Sequence, residues 1–254
     1  MRPTTALHEG AVIPYDTLFP PRDDQVIIHA QVGNPGLPTL EEIDQAIAAA
    51  DRTSAAGLSG LSFAHLKDLR LFDAAALTLT ALRVLTATTT PLAAKTFLRS
   101  HHVIPFPKPG STEARPIAIP DSLMRIWSAA TARTARSQLN AALLPFQLGT
   151  GASCAPEVAT FTIRTLLDSD KSKMVLKTDF TNAYGLLSRQ AILTGLRLLK
   201  APEPVLDYFG FVYGTPVPLM QGGKLAAHAS TGLIQGDPLS PLCFSVGIHP
   251  MLLS

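Results

Sequence analysis

Apolar residues recur along the chain with the spacing of amphipathic helices. Thr39 precedes one such stretch and is followed three residues later by Glu42, which is the capping-box pattern of a helix start. The same periodicity predicts further helices near residues 62–71, 73–87, 122–144, 156–167, 188–199, 203–213 and 242–252, and one that begins at Thr90-Pro91. A mainly helical framework is therefore expected.

Short extended stretches interrupt these helices. Residues 102–106 and 115–119 flank the turn-rich linker PKPGSTEA, and residues 217–233 contain a Gly-Gly pair, so each region predicts a β-hairpin. The apolar run Met174 to Thr178 predicts a buried strand. Hairpins combined with helices favour the α+β class, with an antiparallel sheet backed by helices. Residues 1–38 are rich in Pro, Gly and Asp and predict a poorly structured leader, which the apolar run Val26 to Ile28 could pin.

Charge is distributed unevenly, although the net charge of the 254 residues is only +2. Residues 1–60 hold three arginines against eight carboxylates, whereas residues 95–136 hold seven lysines and arginines against two carboxylates. Such asymmetry is typical of a face that binds phosphate, with scattered solubilising charge as the alternative. A hydrophobic content of 46% indicates a globular chain of one large domain or two small ones.

Several protein classes are disfavoured by what the sequence lacks. Cys154 and Cys243 are far apart, which argues against a disulfide scaffold, and the histidines show no metal-ligand spacing. No apolar run reaches the length of a membrane span, and the N-terminus has no secretory signal pattern. The expected location is the cytoplasm or the nucleus, with no membrane partner.

The stretch KTDFTNAYGLLSR, residues 177–189, carries the most distinctive chemistry. Asp179 follows the predicted strand and precedes a tight turn, a position from which a carboxylate can hold the divalent metals of nucleotidyl transfer. The backbone carbonyl of Phe180 could supply a further oxygen. For an isolated aspartate, a role as a turn residue or helix cap is the alternative.

Two further clusters complete the candidate site. Lys108 and Arg115 stand on the two sides of the first predicted hairpin, where a point charge and a bidentate fork could clamp a triphosphate; solvated surface cations are the alternative. In QGDPLSPLCFSV, Gly236 allows close backbone approach, and the amide of Gln235 could meet a base or sugar edge.

Taken together, these motifs resemble the reverse transcriptase (RNA-directed DNA polymerase) domain of the non-LTR retrotransposon type. The resemblance covers residues 55–254 and is strongest over residues 101–254, which leaves residues 1–54 as a leader and first helix. A weaker stretch, residues 55–69, departs from the family at Ser59, where an acid is common. The implied fold is the fingers and partial palm of a right-hand polymerase, without a thumb.

The resemblance also implies residue roles. Asp179 would be catalytic and, with Phe180, a ligand of Mg²⁺ in a two-ion site. Ala183 would pass close to the triphosphate, and Tyr184 would lie under the incoming sugar and select deoxynucleotides. The remaining nucleotide contacts would come from Lys108, Arg115, Gln235 and Gly236. The implied partners are an RNA template, a DNA primer and deoxynucleoside triphosphates.

The family's next motif, an aromatic followed by x-Asp-Asp, does not occur in residues 1–254. We therefore expect these residues alone to extend a primer negligibly, because the two-ion site would miss carboxylates. We also expect apolar surface on the final helix and beside Asp179, and hence poor solubility. The alternative to an enzyme is a catalytically dead remnant or a domesticated nucleic-acid-binding module on the same fold.

Overall fold

The structure is a computed structural model that describes residues 12–20, 36–107 and 114–253. Within these ranges the chain is a mixed α/β protein with eleven α-helices and a four-stranded sheet. The helices are α1 Tyr15–Leu18, α2 Leu40–Ala49, α3 Phe63–Leu69, α4 Ala74–Thr86, α5 Leu92–Arg99, α6 Ser122–Leu143, α7 Ala155–Ser169, α8 Ala183–Leu186, α9 Arg189–Leu198, α10 Glu203–Tyr213 and α11 Ser240–Leu253. The strands are β1 His101–Pro107, β2 Ala114–Ile119, β3 Val217–Gln221 and β4 Lys224–Ala229.

Side-chain caps fix several of the helix starts that the sequence predicts. The backbone N–H of Thr39 donates to the Glu42 carboxylate at 2.8 Å, and the Thr39 side chain accepts from the Glu42 backbone, so the capping box before α2 is confirmed. Asp73 accepts from the backbone of Ala76 before α4, and Asp121 accepts from the backbone of Leu123 before α6. Each such cap stabilises its helix by about 1 kcal/mol. Because only a few residue types can form these caps, the helix starts can be recognised in the sequence.

The sheet has the strand order β2-β1-β3-β4. Both predicted hairpins are confirmed, since β1 pairs antiparallel with β2 and β3 pairs antiparallel with β4. The central pair, β1 with β3, is parallel, so the expectation of a wholly antiparallel sheet is wrong. The connection from β1 to β3 runs through β2 and helices α6 to α10, and so long a connection can return β3 parallel to β1.

The segment before Asp179 differs from its prediction. Met174 to Thr178 has no regular secondary structure and pairs with none of the four strands, and Met174 and Leu176 are 94% and 87% exposed. Asp179 therefore does not end a strand. Backbone N–H and C=O groups need partners to make a ladder, and an apolar run does not reveal whether a neighbouring strand is there to supply them.

The hydrophobic core is centred on helix α6. Trp127 is fully buried and meets the ring of Tyr208 on α10 edge-on, with ring centroids 5.2 Å apart. Ile43 and Ile47 of α2 are also fully buried in the same cluster, so the helix at the end of the predicted leader belongs to this core. In contrast, α7 buries none of its residues.

Part of the leader is ordered rather than unstructured. Residues 12–20, here called the N-terminal strap, contain α1, and the side chain of Ile13 is buried in the core. The expected pin, Val26 to Ile28, lies outside the described residues. No helix in the described ranges is long and apolar enough to cross a membrane.

Candidate functional site

One cleft of about 350 Å³ collects residues from four separate parts of the described chain. They are the N-terminal strap, strand β2, the turn at residues 179–185 and the loop at residues 233–235. The lining residues are Leu18, Phe19, Ala114, Arg115, Pro116, Ala118, Asp179, Phe180, Thr181, Asn182, Tyr184, Gly185, Leu233, Ile234 and Gln235. Segments that are more than a hundred residues apart in sequence thus form one concave surface.

The cleft brings together most of the site residues expected from the sequence. Those that line it are Arg115, Asp179, Phe180, Tyr184 and Gln235. Ala183 and Gly236 adjoin lining residues in the chain but do not themselves line the cleft. Lys108 lies outside the described residues.

The turn that carries Asp179 is shaped by Asn182. Asn182 adopts the left-handed conformation, with φ at 50°, and its backbone carbonyl accepts from Leu186, so α8 begins at the next residue. Its side-chain Nδ2 donates to the backbone carbonyl of Leu18 at 2.7 Å. Asparagine tolerates this backbone conformation better than most residues do. The turn is therefore fixed both internally and to the N-terminal strap.

Backbone contacts join this turn to the loop that follows β4. The N–H of Leu233 donates to the carbonyl of Tyr184 at 2.8 Å, and the N–H of Gly232 donates to the carbonyl of Leu187 at 3.0 Å. Gly232 has φ at +63°, and a Cβ at this position would lie 2.2 Å from the Tyr184 carbonyl oxygen. Only a glycine allows both the conformation and the approach. Gly232 is thus a residue that the sequence-based prediction of the site missed.

Gly236, in the same loop, lies close to the backbone of strand β2. Its φ is +108°, and an added Cβ would lie 2.3 Å from the carbonyl oxygen of Ala118 on β2. The preceding residue, Gln235, is exposed and lines the cleft. Gly236 therefore seats the loop against the strand that bears Arg115, which places the Gln235 amide and the Arg115 guanidinium on one cleft.

Asp237 holds this loop in place through buried hydrogen bonds. It is 3% exposed, its Oδ2 accepts from the Tyr213 hydroxyl at 2.6 Å, and its Oδ1 accepts from the Ser128 hydroxyl and from the Leu239 N–H. Burial raises the pKa of the Asp237 carboxyl above its ordinary value. The Asp237 carboxylate already accepts hydrogen bonds from these three donors and is shielded from solvent. It therefore stabilises the loop and is not available to a metal ion.

A buried arginine completes the scaffold. Arg189 is only 4% exposed. Its guanidinium donates to the backbone carbonyls of Gly232 at 3.0 Å, Ala229 at 2.7 Å and Tyr213 at 3.0 Å. Burial lowers the pKa of Arg189 to about 10. Arg189 therefore ties the start of α9 to the end of β4. The sequence held no signal for this role beyond an arginine next to a helix cap.

The cleft contains two exposed charged side chains, those of Arg115 and Asp179. Within the described ranges, neither side chain forms a hydrogen bond or an ion pair with another residue. Tyr184 is partly buried, and its ring stacks on that of Phe244 with centroids 4.7 Å apart and planes 5° from parallel. Burial raises the pKa of the Tyr184 hydroxyl, which therefore stays protonated at neutral pH. The cleft thus offers a cation, an anion and a fixed aromatic ring.

Among the described residues that line the cleft, Asp179 is the one carboxylate. Across the described ranges, no three His, Cys, Asp or Glu side chains come together in a group that could hold a metal ion. Magnesium often binds through one or two carboxylates and completes its coordination with substrate phosphates and water. The donor chemistry of Asp179 fits a metal ion that arrives with a triphosphate.

Comparison of the sequence with models of known protein families gave no match, and comparison with curated proteins gave none either.

Proposed function

We propose that this chain carries the nucleotide-binding cleft of an RNA-directed DNA polymerase of the non-LTR reverse transcriptase type. The observation that carries the proposal is the assembly of Arg115, Asp179, Tyr184 and Gln235 on one cleft, from three segments that are distant in sequence. The resemblance implies that Arg115, Tyr184 and Gln235 are among the residues that contact the incoming nucleotide and that Asp179 is catalytic and holds Mg²⁺.

Each of these side chains has a distinct task in the proposal. The Asp179 carboxylate holds Mg²⁺, together with the phosphate oxygens of the bound nucleotide. The Arg115 guanidinium neutralises the triphosphate through bidentate hydrogen bonds. Tyr184, held in place by its stack on Phe244, occupies the space that a 2′-hydroxyl would need. When bound, the metal ion lowers the charge repulsion that opposes attack on the α-phosphorus.

A second candidate function is binding without catalysis. It is favoured by the single carboxylate among the described residues that line the cleft, because two-ion nucleotidyl transfer ordinarily relies on more than one. On this alternative the chain binds nucleic acid through phosphate contacts from its exposed cations. Arg115 on β2 and Arg133 and Arg136 on α6 are exposed and supply such charge.

The experiment that tests the proposal is titration of a fluorescent deoxynucleoside triphosphate into the 254-residue chain bound to a primed RNA template, with and without Mg²⁺. We expect binding that depends on Mg²⁺. Asp179→Asn should remove that dependence, whereas Asp168→Asn, which changes an exposed carboxylate on α7, should leave it intact. Arg115→Ala should weaken binding about tenfold, since a charge-assisted contact is lost, and Arg83→Ala should not.

Nucleotide binding in the same mixture separates the two candidates, because residues 1–254 alone are expected to extend a primer negligibly. Mg²⁺-dependent nucleotide binding that Asp179→Asn weakens favours the polymerase cleft, whereas template binding without nucleotide binding favours the binding module. Nucleotide binding that is indifferent both to Mg²⁺ and to Asp179→Asn would overturn the proposal for this cleft.

A further inference from the structure

The N-terminal strap is attached to the rest of the fold along its whole described length. Its first residue, Val12, accepts through its carbonyl from the N–H of Ala114 on β2 at 3.0 Å. Near its middle, the Tyr15 hydroxyl donates to Oε1 of Gln221 on β3 at 2.9 Å. At its end, the carbonyl of Pro20 accepts from the hydroxyl of Ser230, just after β4, at 3.4 Å. The strap therefore reaches from the β2 edge of the sheet to the β4 edge.

Two residues of the strap, Leu18 and Phe19, line the cleft. The carbonyl of Leu18 accepts from Asn182 in the turn that follows Asp179, which fixes this part of the strap beside the candidate site. The ring of Phe19 is partly buried and lies 6.4 Å from the ring of Tyr15. The strap thus contributes a fixed apolar wall to a cleft whose polar side chains come from other segments.

The cleft combines apolar and charged side chains. Arg115 and Asp179, with a metal ion, suit a polyphosphate, but the side chains of Leu18 and Phe19 have nothing to offer phosphate oxygens. An aromatic ring that lines a cleft is a good surface for a nucleobase, because every base has a π-face on which a ring can stack. A nucleoside triphosphate suits both kinds of side chain, whereas a bare polyphosphate suits only the charged ones.

We propose that Phe19 of the N-terminal strap contacts the nucleoside part of the bound triphosphate and sets the preference of the cleft for nucleotides over bare polyphosphate. This inference rests on the proposed function, because it assumes that the cleft binds a triphosphate. It assigns a ligand-binding role to a segment that comes before the motifs carrying the resemblance.

The test compares two probes, a deoxynucleoside triphosphate and inorganic tripolyphosphate, each titrated with Mg²⁺ into the complete chain. Phe19→Ala should weaken binding of the nucleotide about fivefold or more, at the low end of what loss of an aromatic–base stack costs, and leave tripolyphosphate binding unchanged. Arg115→Ala should weaken binding of both probes. Phe161→Ala, which changes a 69% exposed ring on α7, is the matched control and should affect neither probe.

The possible outcomes separate this inference from the proposed function. If the unmodified chain binds neither probe, the proposed function fails and the inference fails with it. If the chain binds both probes and Phe19→Ala leaves nucleotide affinity unchanged, the inference alone is overturned. Equal weakening of both probes by Phe19→Ala would give the strap a merely structural role and would also overturn it. Phe19→Trp, which keeps an aromatic face, should restore nucleotide binding.

Discussion

Replacing Gly232 by alanine should separate the two segments that carry the candidate site. Gly232 has φ at +63°, and an added Cβ would lie 2.2 Å from the carbonyl oxygen of Tyr184 and 2.3 Å from that of Gly185. The left-handed conformation alone costs a residue with a Cβ about 1 kcal/mol. The overlap with two backbone atoms forces a shift that costs about 1 to 3 kcal/mol more, as overpacking does elsewhere.

Gly222 supplies a matched control within the same protein. It lies at the turn between β3 and β4 with φ at +58°, and a Cβ there would meet nothing within 4 Å. Gly222→Ala therefore carries the conformational cost without the collision. We expect Gly232→Ala to lower the free energy of unfolding by about 3 kcal/mol, and Gly222→Ala to lower it by about 1 kcal/mol.

The assay is urea unfolding followed by tryptophan fluorescence, because Trp127 is the single tryptophan and lies in the core. In chains of this size a loss of 1 kcal/mol lowers the melting temperature by roughly 2 to 4 °C, so thermal unfolding should also separate the two variants. Gly232→Ala should in addition weaken nucleotide binding, since Tyr184 and Leu233 both line the cleft. Equal destabilisation by the two substitutions would refute the argument from close approach.

Three further expectations follow from the buried and stacked groups. His101 is 2% exposed, and burial lowers its pKa from 6.5 to about 4; its stabilising contribution is therefore complete above pH 6.5 and lost as pH falls toward 4. The loss amounts to about 2 kcal/mol at pH 5, and His101→Asn should flatten the dependence of the urea midpoint on pH. Asp237→Ala leaves buried donors without an acceptor and should cost about 3 kcal/mol in urea unfolding, with Asp237→Asn recovering part of it. Tyr184→Ala should raise the affinity for ribonucleotides relative to deoxynucleotides about tenfold in competitive titration, because the ring proposed to exclude a 2′-hydroxyl is gone.

Each of these expectations has a contrary result. A urea midpoint that does not change between pH 7 and pH 5 would show that His101 is not the neutral, desolvated group described above. Asp237→Ala with the stability of the unmodified chain would show that its hydrogen bonds contribute nothing. Unchanged discrimination in Tyr184→Ala would remove this ring from the sugar site.

The elements that sequence pattern predicted well are those that local chemistry determines. Thr39 and Glu42 hydrogen-bond to each other across one helical turn, and β1 and β2 stand on the two sides of a stretch rich in turn residues, so both features can be recognised without knowledge of the rest of the chain. The run at Met174 is different, because its state depends on whether a neighbouring strand pairs with it. No periodicity of the run itself carries that information.

The candidate site was predicted in part for the same reason. Asp179, Arg115 and Gln235 stand in recognisable strings, so their types and positions could be named in advance. The scaffold that brings them together could not, because Arg189 and Asp237 act through contacts with distant backbone and hydroxyl groups. The N-terminal strap was missed because a segment rich in Pro and Gly reveals nothing of the surface on which it docks.

In the proposed polymerase cleft, the template base selects the nucleotide that binds, and this selection can be measured as a difference in affinity. The chain is bound to a primed RNA template whose first unpaired base is adenine, and the affinities for dTTP and dCTP are measured in Mg²⁺. We expect dTTP to bind at least about tenfold more tightly, because its base can pair with the template while the triphosphate occupies the cleft; a mismatched base typically costs about 1 to 3 kcal/mol. Equal affinities for dTTP and dCTP would contradict the assignment.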